Sequence, residues 1–508
     1  MTAPNKVDSN LTGFAIAEEA SLKTLTGTPI WYSLEPNSFS DFGGQFKNVA
    51  RNPINANRSV KKGAMTDLDA SGGFNTDFMQ SNMQRTLQGF FFADAREKPS
   101  TQPFNGTAIV FTGIVGSTKT FSAAAGLGVF LPKHLIMVSG SASAANNGLD
   151  VVASATASTL VGTAVKVDEA APTADLKVEV VGVEFASADI NLAVAASGVS
   201  MTSTAFDFTT LRLVAGEWVF IGGDSATNKF AVNLPGYARI RSIAAHTIVF
   251  DDTTFVPSTE TGTGKLIRMF FGKSLKNETS TLIKRRSYQL ERQLGDDGTG
   301  VQSEYDEGAI PNEFTLNIPE ADAITADLTF VAMNYVTRDG ATGVKAGTRI
   351  PAVAENAFNT SSDIYRIKLS IVDPLNVNGS PLFAYVNDAK LVINNGVKPT
   401  KALGTLGAFD ATAGDFIISG SLTAYFSTVG AVNAVRNNSD VGFNVILAHK
   451  NAGTVIDIPS MSLGNGRLKV EKDAAITIPI DMNANESVAG HTLLMTFFSY
   501  LPNSAMPV

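Results

Sequence analysis

Four histidines, one lysine after a glycine-rich turn and two close pairs of aspartates are the residues whose chemistry must be weighed first. His134, His246, His449 and His491 lie far apart, and none has a neighbour at metal-ligand spacing, so they are expected to be ordinary core or surface histidines. Gly262-Thr263-Gly264-Lys265 looks like the end of a phosphate loop. Leu266 stands where Ser or Thr would bind magnesium, however, and Thr259 stands where the first glycine belongs, which leaves a β-turn. Asp67 with Asp69, and Asp296 with Asp297, offer oxygens to calcium, but no spaced run of acidic ligands completes either set. No Ser/His/Asp arrangement has local support. The expectation is a protein with no catalytic residues, no cofactor and no metal: not an enzyme.

Charge patterning is more informative. From Lys47 to Lys62 the chain carries Lys47, Arg51, Arg58, Lys61 and Lys62 and no acid. From Glu291 to Glu307 it carries Glu291, Asp296, Asp297, Glu304, Asp306 and Glu307 against Arg292 alone. Opposite patches on one subunit suit head-to-tail stacking, in which one copy's basic stretch meets the next copy's acidic one.

These residues sit in a chain of 508 residues with no cysteine, 17% charged residues and a net charge of −8. Such a length implies several domains with cores large enough to need no disulfide. The negative charge opposes a protein that grips nucleic acid by its phosphates. The longest apolar run, near Leu493–Leu501, is broken by Thr496, Ser499 and Tyr500 and fits a strand rather than a membrane span. The N-terminus lacks the pattern of a signal peptide, which predicts folding in a cytoplasm.

Residues 1–28 form a polar arm leading to a strand at Ile30–Leu34. A Gly-, Asn- and Lys/Arg-rich loop is expected from Ser40 to Gly73, and a helix over Asp77–Ala93, where Phe78, Met79, Met83, Leu87 and Phe91 recur at helical spacing after a cap at Asn75 or Thr76. Lys98–Pro103 is a linker. Residues 104–275 alternate as β-strands and repeat internally. Leu135–Gly140 resembles Trp218–Gly223, Val165–Asp168 resembles Ile248–Asp251, and Leu176–Gly182 matches Leu266–Gly272, which predicts two small β-barrels in tandem. A second repeat relates 285–338 to 362–428, each with a strand, a loop, Gly-x-x-Pro (Gly308–Pro311, Gly396–Pro399) and a further strand. A short helix at Ala431–Asn437 and strands near 443–448, 455–458, 475–480 and 492–500 complete the chain.

Trp31-x-x-Leu34-Glu35-Pro36-Asn37-Ser38, the Arg58–Lys62 segment and Thr66–Asp77 resemble the major tail tube protein of long-tailed, non-contractile bacteriophages. So do Gly216–Gly223, Gly236–Ile240 and Tyr288–Arg292. The resemblance implies a mainly β fold: an antiparallel β-sandwich or barrel of the tail-tube type, here duplicated, with a flanking helix and an inserted pair of small barrels. It divides the chain into 1–103 (arm, stacking loop and helix), 104–275 (insertion on the outer surface), 276–345 (first tube unit) and 346–508 (second tube unit and C-terminal strands). The implied function is structural. Subunits self-assemble into stacked rings, trimers of duplicated chains or hexamers. The tube conducts DNA during ejection around the tape-measure protein, with tail terminator and distal tail proteins as further partners. It belongs to the virion tail and is assembled in the host cytoplasm. Strands 287–293 and 365–372 are expected to line the lumen, with Glu291 as a lumen acid. The alternative is a tandem β-domain adhesin.

Overall fold

The computed structural model describes residues 12–54, 56, 61–195, 198–296, 298, 300–372, 378–379 and 381–507. The fold is mainly β, built of antiparallel sheets in a sandwich arrangement, with two α-helices and no closed barrel among the described residues. The expected barrels are therefore open sheets. Apart from five short strands of two to five residues, the elements in chain order are β1 (Gly13–Ser21), β2 (Ile30–Leu34), β3 (Pro36–Arg51), β4 (Lys61–Asp77) and α1 (Gln80–Phe91). Next come β5 (Phe111–Val115), β6 (Thr120–Ala123), β7 (His134–Ser139), β8 (Gly148–Ala155), β9 (Thr159–Gly162) and β10 (Lys177–Glu184). They are followed by β11 (Ile190–Ala195), β12 (Gly198–Ser203), β13 (Trp218–Ile221), β14 (Gly236–Ala244), β15 (Thr247–Thr253) and β16 (Arg268–Phe270). Then come β17 (Lys273–Lys276), β18 (Tyr288–Asp296), β19 (Val301–Ile318), β20 (Thr325–Ala332), β21 (Asn334–Arg338), β22 (Ile364–Ile371), β23 (Val386–Asn394) and β24 (Ile417–Tyr425). The last are α2 (Gly430–Arg436), β25 (Val441–His449), β26 (Ala452–Asn465), β27 (Thr477–Ala484) and β28 (Leu494–Phe498). The chain divides into two compact units: 1–93, 278–360 and 387–422 in one, and 94–277, 361–386 and 423–508 in the other.

In the first unit, the 18-residue β19 serves two sheets. Its first half pairs with β18 on one edge and β21 on the other; its second half pairs with β20 and β23. β1 lies between β2 and β18. Alternating apolar residues face inward, and Phe14 meets Phe74 with ring centroids 4.6 Å apart. The stretch expected as a long loop is instead the β3–β4 hairpin, kept in register from Pro36↔Thr76 to Arg51↔Lys61 by several bulges. Gly43, at φ 130°, occupies one of them. α1 starts three residues later than expected, because Asn75, Thr76 and Asp77 extend β4 against β20. Neither Asn75 nor Thr76 caps it. Glu355 does so from a distance, its Oε1 accepting from the backbone N–H of Ser81 at 2.6 Å. Phe90 packs on Phe314 and Phe330 and carries the helix's apolar face into the core.

In the second unit, one sheet runs through both inserted repeats. Leaving aside a two-residue edge strand, Glu260–Thr261, that pairs with β11, its strand order from one end is β5-β6-β9-β8-β7-β10, then β16-β13-β14-β15-β12-β11. Matching β5–β10 with β11–β16 in chain order makes this order the same from either end, with the join at β10 and β16, where Gly182 opposes Phe270. A 3-10 turn lies between β6 and β7 and another between β12 and β13. The match between Leu135–Gly140 and Trp218–Gly223 thus falls on equivalent strands. Val165–Asp168 is not a strand; the counterpart of β15 is β9. The insertion is also no appended body. Leu135, Trp218, Phe220, Tyr237 and Phe270 share one buried cluster with Ile446, Val455 and Phe498.

The tube repeat has different limits from those expected. β22 pairs with β25, β25 with the first half of β26, and β26 with β28 and β27. This repeats, pair for pair, β1 with β18, β18 with β19, and β19 with β21 and β20. Chain order agrees: β3, β4 and α1 follow one another as β23, β24 and α2 do, with a short hairpin, Lys398–Lys401 against Ala408–Thr412, set between β23 and β24. The repeat of 288–338 is therefore 441–498, not 362–428. The Gly-x-x-Pro match was misleading because Gly308–Pro311 lies inside β19, whereas Gly396 follows the end of β23.

Candidate assembly interface

The predicted basic residues sit together at the far end of the β3–β4 hairpin. Lys47, Arg51, Lys61 and Lys62 are all exposed; Arg58 lies outside the described residues. Arg51 stands directly opposite Lys61. Like charges across an antiparallel pair repel, so the hairpin end favours an acidic partner. Phe46, Val49, Ile54 and Met65 are exposed on the same arm, Ile54 fully. Nearer the body, the Lys401 ammonium binds Asp67 at 2.7 Å and Asp69 at 2.5 Å. That cation occupies the place where the Asp-x-Asp pair would need calcium.

The acidic residues do not form the expected open face. Glu291, 1% exposed, accepts from the Tyr305 hydroxyl at 2.6 Å and from Arg349 at 2.5 Å. Glu304 is engaged by Arg292 and by the Tyr335 hydroxyl, and Glu307 by Lys345 and Asn334. Asp306 is wholly buried, and neither carboxylate oxygen has a hydrogen-bond partner. Burial pushes its pKa up to about 8, against the pull of Arg292. A side chain on Gly72 would strike Leu290 and the Asp306 carboxylate, so glycine lets the strands close over this acid. Asp296 is exposed at the β18–β19 turn, where it accepts from the N–H groups of Gly298 and Gly300; Asp297 lies outside the described residues. Glu291 and Asp306 are turned inward, and the cations that meet Glu291 and Glu307, Arg349 and Lys345, come from a segment that no local spacing reveals. Within the chain, Glu291, the expected lumen acid, is part of a buried ion pair with Arg349.

Among the described residues no cluster of acids and histidines could hold a metal ion. His134 and His491 are buried, and burial lowers both pKa values to about 4. Lys265 donates its backbone N–H to the Gly262 carbonyl at 3.1 Å, closing the expected β-turn. The sequence reading missed a buried ionic network in the second unit. Asp252 accepts from Arg366, Lys368 and Asn444, each at 3.2 Å. Arg239 bridges Asp251 at 2.8 Å and Asp457 at 3.3 Å. It borders a cavity of about 590 Å³ that is also lined by Arg241, Asp440, Glu486 and His491. Its members are more than a hundred residues apart in part, so only the neighbourhood of Arg239 carried a sequence signal.

No helix among the described residues is long and apolar enough to cross a membrane. Among the described residues the geometry contains an exposed basic arm and a repeated sheet pattern, with Glu291, Glu304, Glu307, Asp67 and Asp69 engaged in ion pairs within the fold. Comparison with curated proteins gave no match. A family model described as phage tail tube protein matches residues 9–484, nearly the whole chain. The chain belongs to the phage tail tube protein family.

Proposed function

We propose that this structural tail protein assembles into rings of three chains, and that the rings stack into the tail tube through which DNA leaves the virion. The observation that carries this reading is the repeat of one sheet pattern, β1 with β18–β21 and β22 with β25–β28, in a member of a tube-forming family. Three duplicated chains would supply six tube units per ring. The β3–β4 arm is the stacking element. Lys47, Arg51, Lys61 and Lys62, with Arg58, would reach an acidic surface of the adjoining ring, at which Asp296 is the exposed acid. The lumen encloses the tape-measure protein before ejection, and tail terminator and distal tail proteins close the two ends. A net charge of −8 suits a passage that must not hold phosphates. Assembly in the host cytoplasm and residence in the virion tail follow from this role. Negative-stain microscopy of the purified protein tests the reading: stacked rings or tubes support it, and dispersed single chains contradict it.

A further inference from the structure

Inside the first unit, β19 is joined to β23 by a strand pair. Glu313–Ile318 of β19 bond to Asn394–Ala389 of β23, while Ile310–Asn317 bond β20 on the opposite edge. Both edges of β19 are thus filled, and Leu316, Ile318 and Ile324 are buried, at 0%, 5% and 0% exposure.

The second copy has the same strand with one edge open. β25 pairs with β26 only as far as Met461, and β27 pairs with Met461–Asn465. Beyond β26 the chain continues against β27, with Lys469 bridging Thr477 as Asn317 pairs with Thr325. Ala323-Ile324-Thr325 recurs as Ala475-Ile476-Thr477 at the same place. Leu468, Val470 and Ile476 therefore correspond to Leu316, Ile318 and Ile324. They are exposed by 38%, 68% and 37%. Apolar side chains thus stand part-exposed here, where their counterparts in the first copy are buried.

The missing cover has a counterpart in the same molecule. β3 stands before β4 and α1 as β23 stands before β24 and α2, and its described pairing is with β4 alone. Among the described residues its other edge has no strand partner and is able to accept one. Charges agree as well: Glu35 and Asp41 are exposed at β3, and Arg467 and Lys469 are exposed on the 466–470 segment.

We infer that the ring closes where β3 of one chain, over about Asn37–Gly43, adds as an antiparallel strand to residues 465–470 of the next chain. This contact between chains copies the β19–β23 junction within a chain and buries Leu468, Val470 and Ile476. The inference rests on the ring reading above and assigns it its contact surface.

The chain has no cysteine, which permits a clean test. Arg467→Cys is combined in turn with Ser38→Cys, Ser40→Cys or Asp41→Cys, to span the possible registers. Assembled tubes are oxidised and run on a denaturing gel without reductant. The expected result is chain-to-chain cross-linking in at least one pair, giving a ladder that ends at closed rings, with none in the single-cysteine controls. A companion variant, Leu468→Asp with Val470→Asp, should reduce ring formation at least tenfold while leaving the melting temperature of the single chain unchanged. Intact tubes without any cross-link, or a double-Asp chain that still forms rings, overturn this edge and leave the tube reading standing. An unsubstituted chain that forms neither rings nor tubes overturns both.

Discussion

Asp306 is the residue at which burial and charge are most directly in conflict. Its pKa is raised by burial to about 8, far above the ordinary 3.8. A carboxyl raised in the folded state favours folding in its protonated form. Its contribution is complete below about pH 4 and is lost as pH climbs through about 8. Asp306→Asn removes the titration. The variant should gain on the order of 1–3 kcal/mol relative to the parent at pH 9 and little at pH 5, as read by thermal unfolding at both values. An equal difference at the two pH values would mean that the acid is solvated. Glu291 makes the converse case. Arg349→Ala removes the guanidinium 2.5 Å from a carboxylate that is 1% exposed, and should destabilise the first unit by about 1.5–3 kcal/mol in denaturant unfolding. No measurable loss would show that Tyr305 and Gln293 satisfy the carboxylate without the guanidinium.

Among the elements, the β3–β4 hairpin is the one whose behaviour should change most with assembly. Its outer half has exposed apolar and basic side chains and little packing. Amides from Phe46 to Met65 should exchange quickly in single chains and slowly in tubes, and uniform protection in both states would deny the arm a role between rings. Lys61→Glu with Lys62→Glu should shorten tubes without lowering the melting temperature. Each exposed pair contributes only about 0.2–1 kcal/mol, but every ring repeats it. The insertion gives a different expectation from the one composition suggests. Removing 104–275 would uncover Ile446, Val455 and Phe498 and unpair Asp457, so the shortened chain should be insoluble or aggregate on expression. A soluble, tube-forming deletion would show that this shared core is dispensable. Strands with clean alternation, such as Ile30–Leu34 and Ile364–Ile371, were legible in the sequence nearly to the residue. The hairpin was not, because its glycines and bulges interrupt the period-two pattern by which a strand is recognised. The acids of β18 and β19 were misplaced for another reason: their neutralising partners Arg349 and Lys345 come from a segment some forty to sixty residues away.

For the whole molecule, the duplication decides the architecture. A single tube unit would need six identical chains to enclose a ring of six. This chain carries the unit twice, in the pairs β1–β18 and β22–β25 and in the strands that follow them. The tube copies were hard to see in the sequence because the first is interrupted by the 94–277 insertion, so that its helix and its next strand are nearly two hundred residues apart. Electron cryo-microscopy of tubes grown from the purified chain tests the account most directly. It predicts stacked rings with three chains each, a lumen wall of near-sixfold appearance and the inserted sheets repeating three times per ring. Six chains in each ring, or a preparation that holds single chains and no rings under assembly conditions, would contradict it.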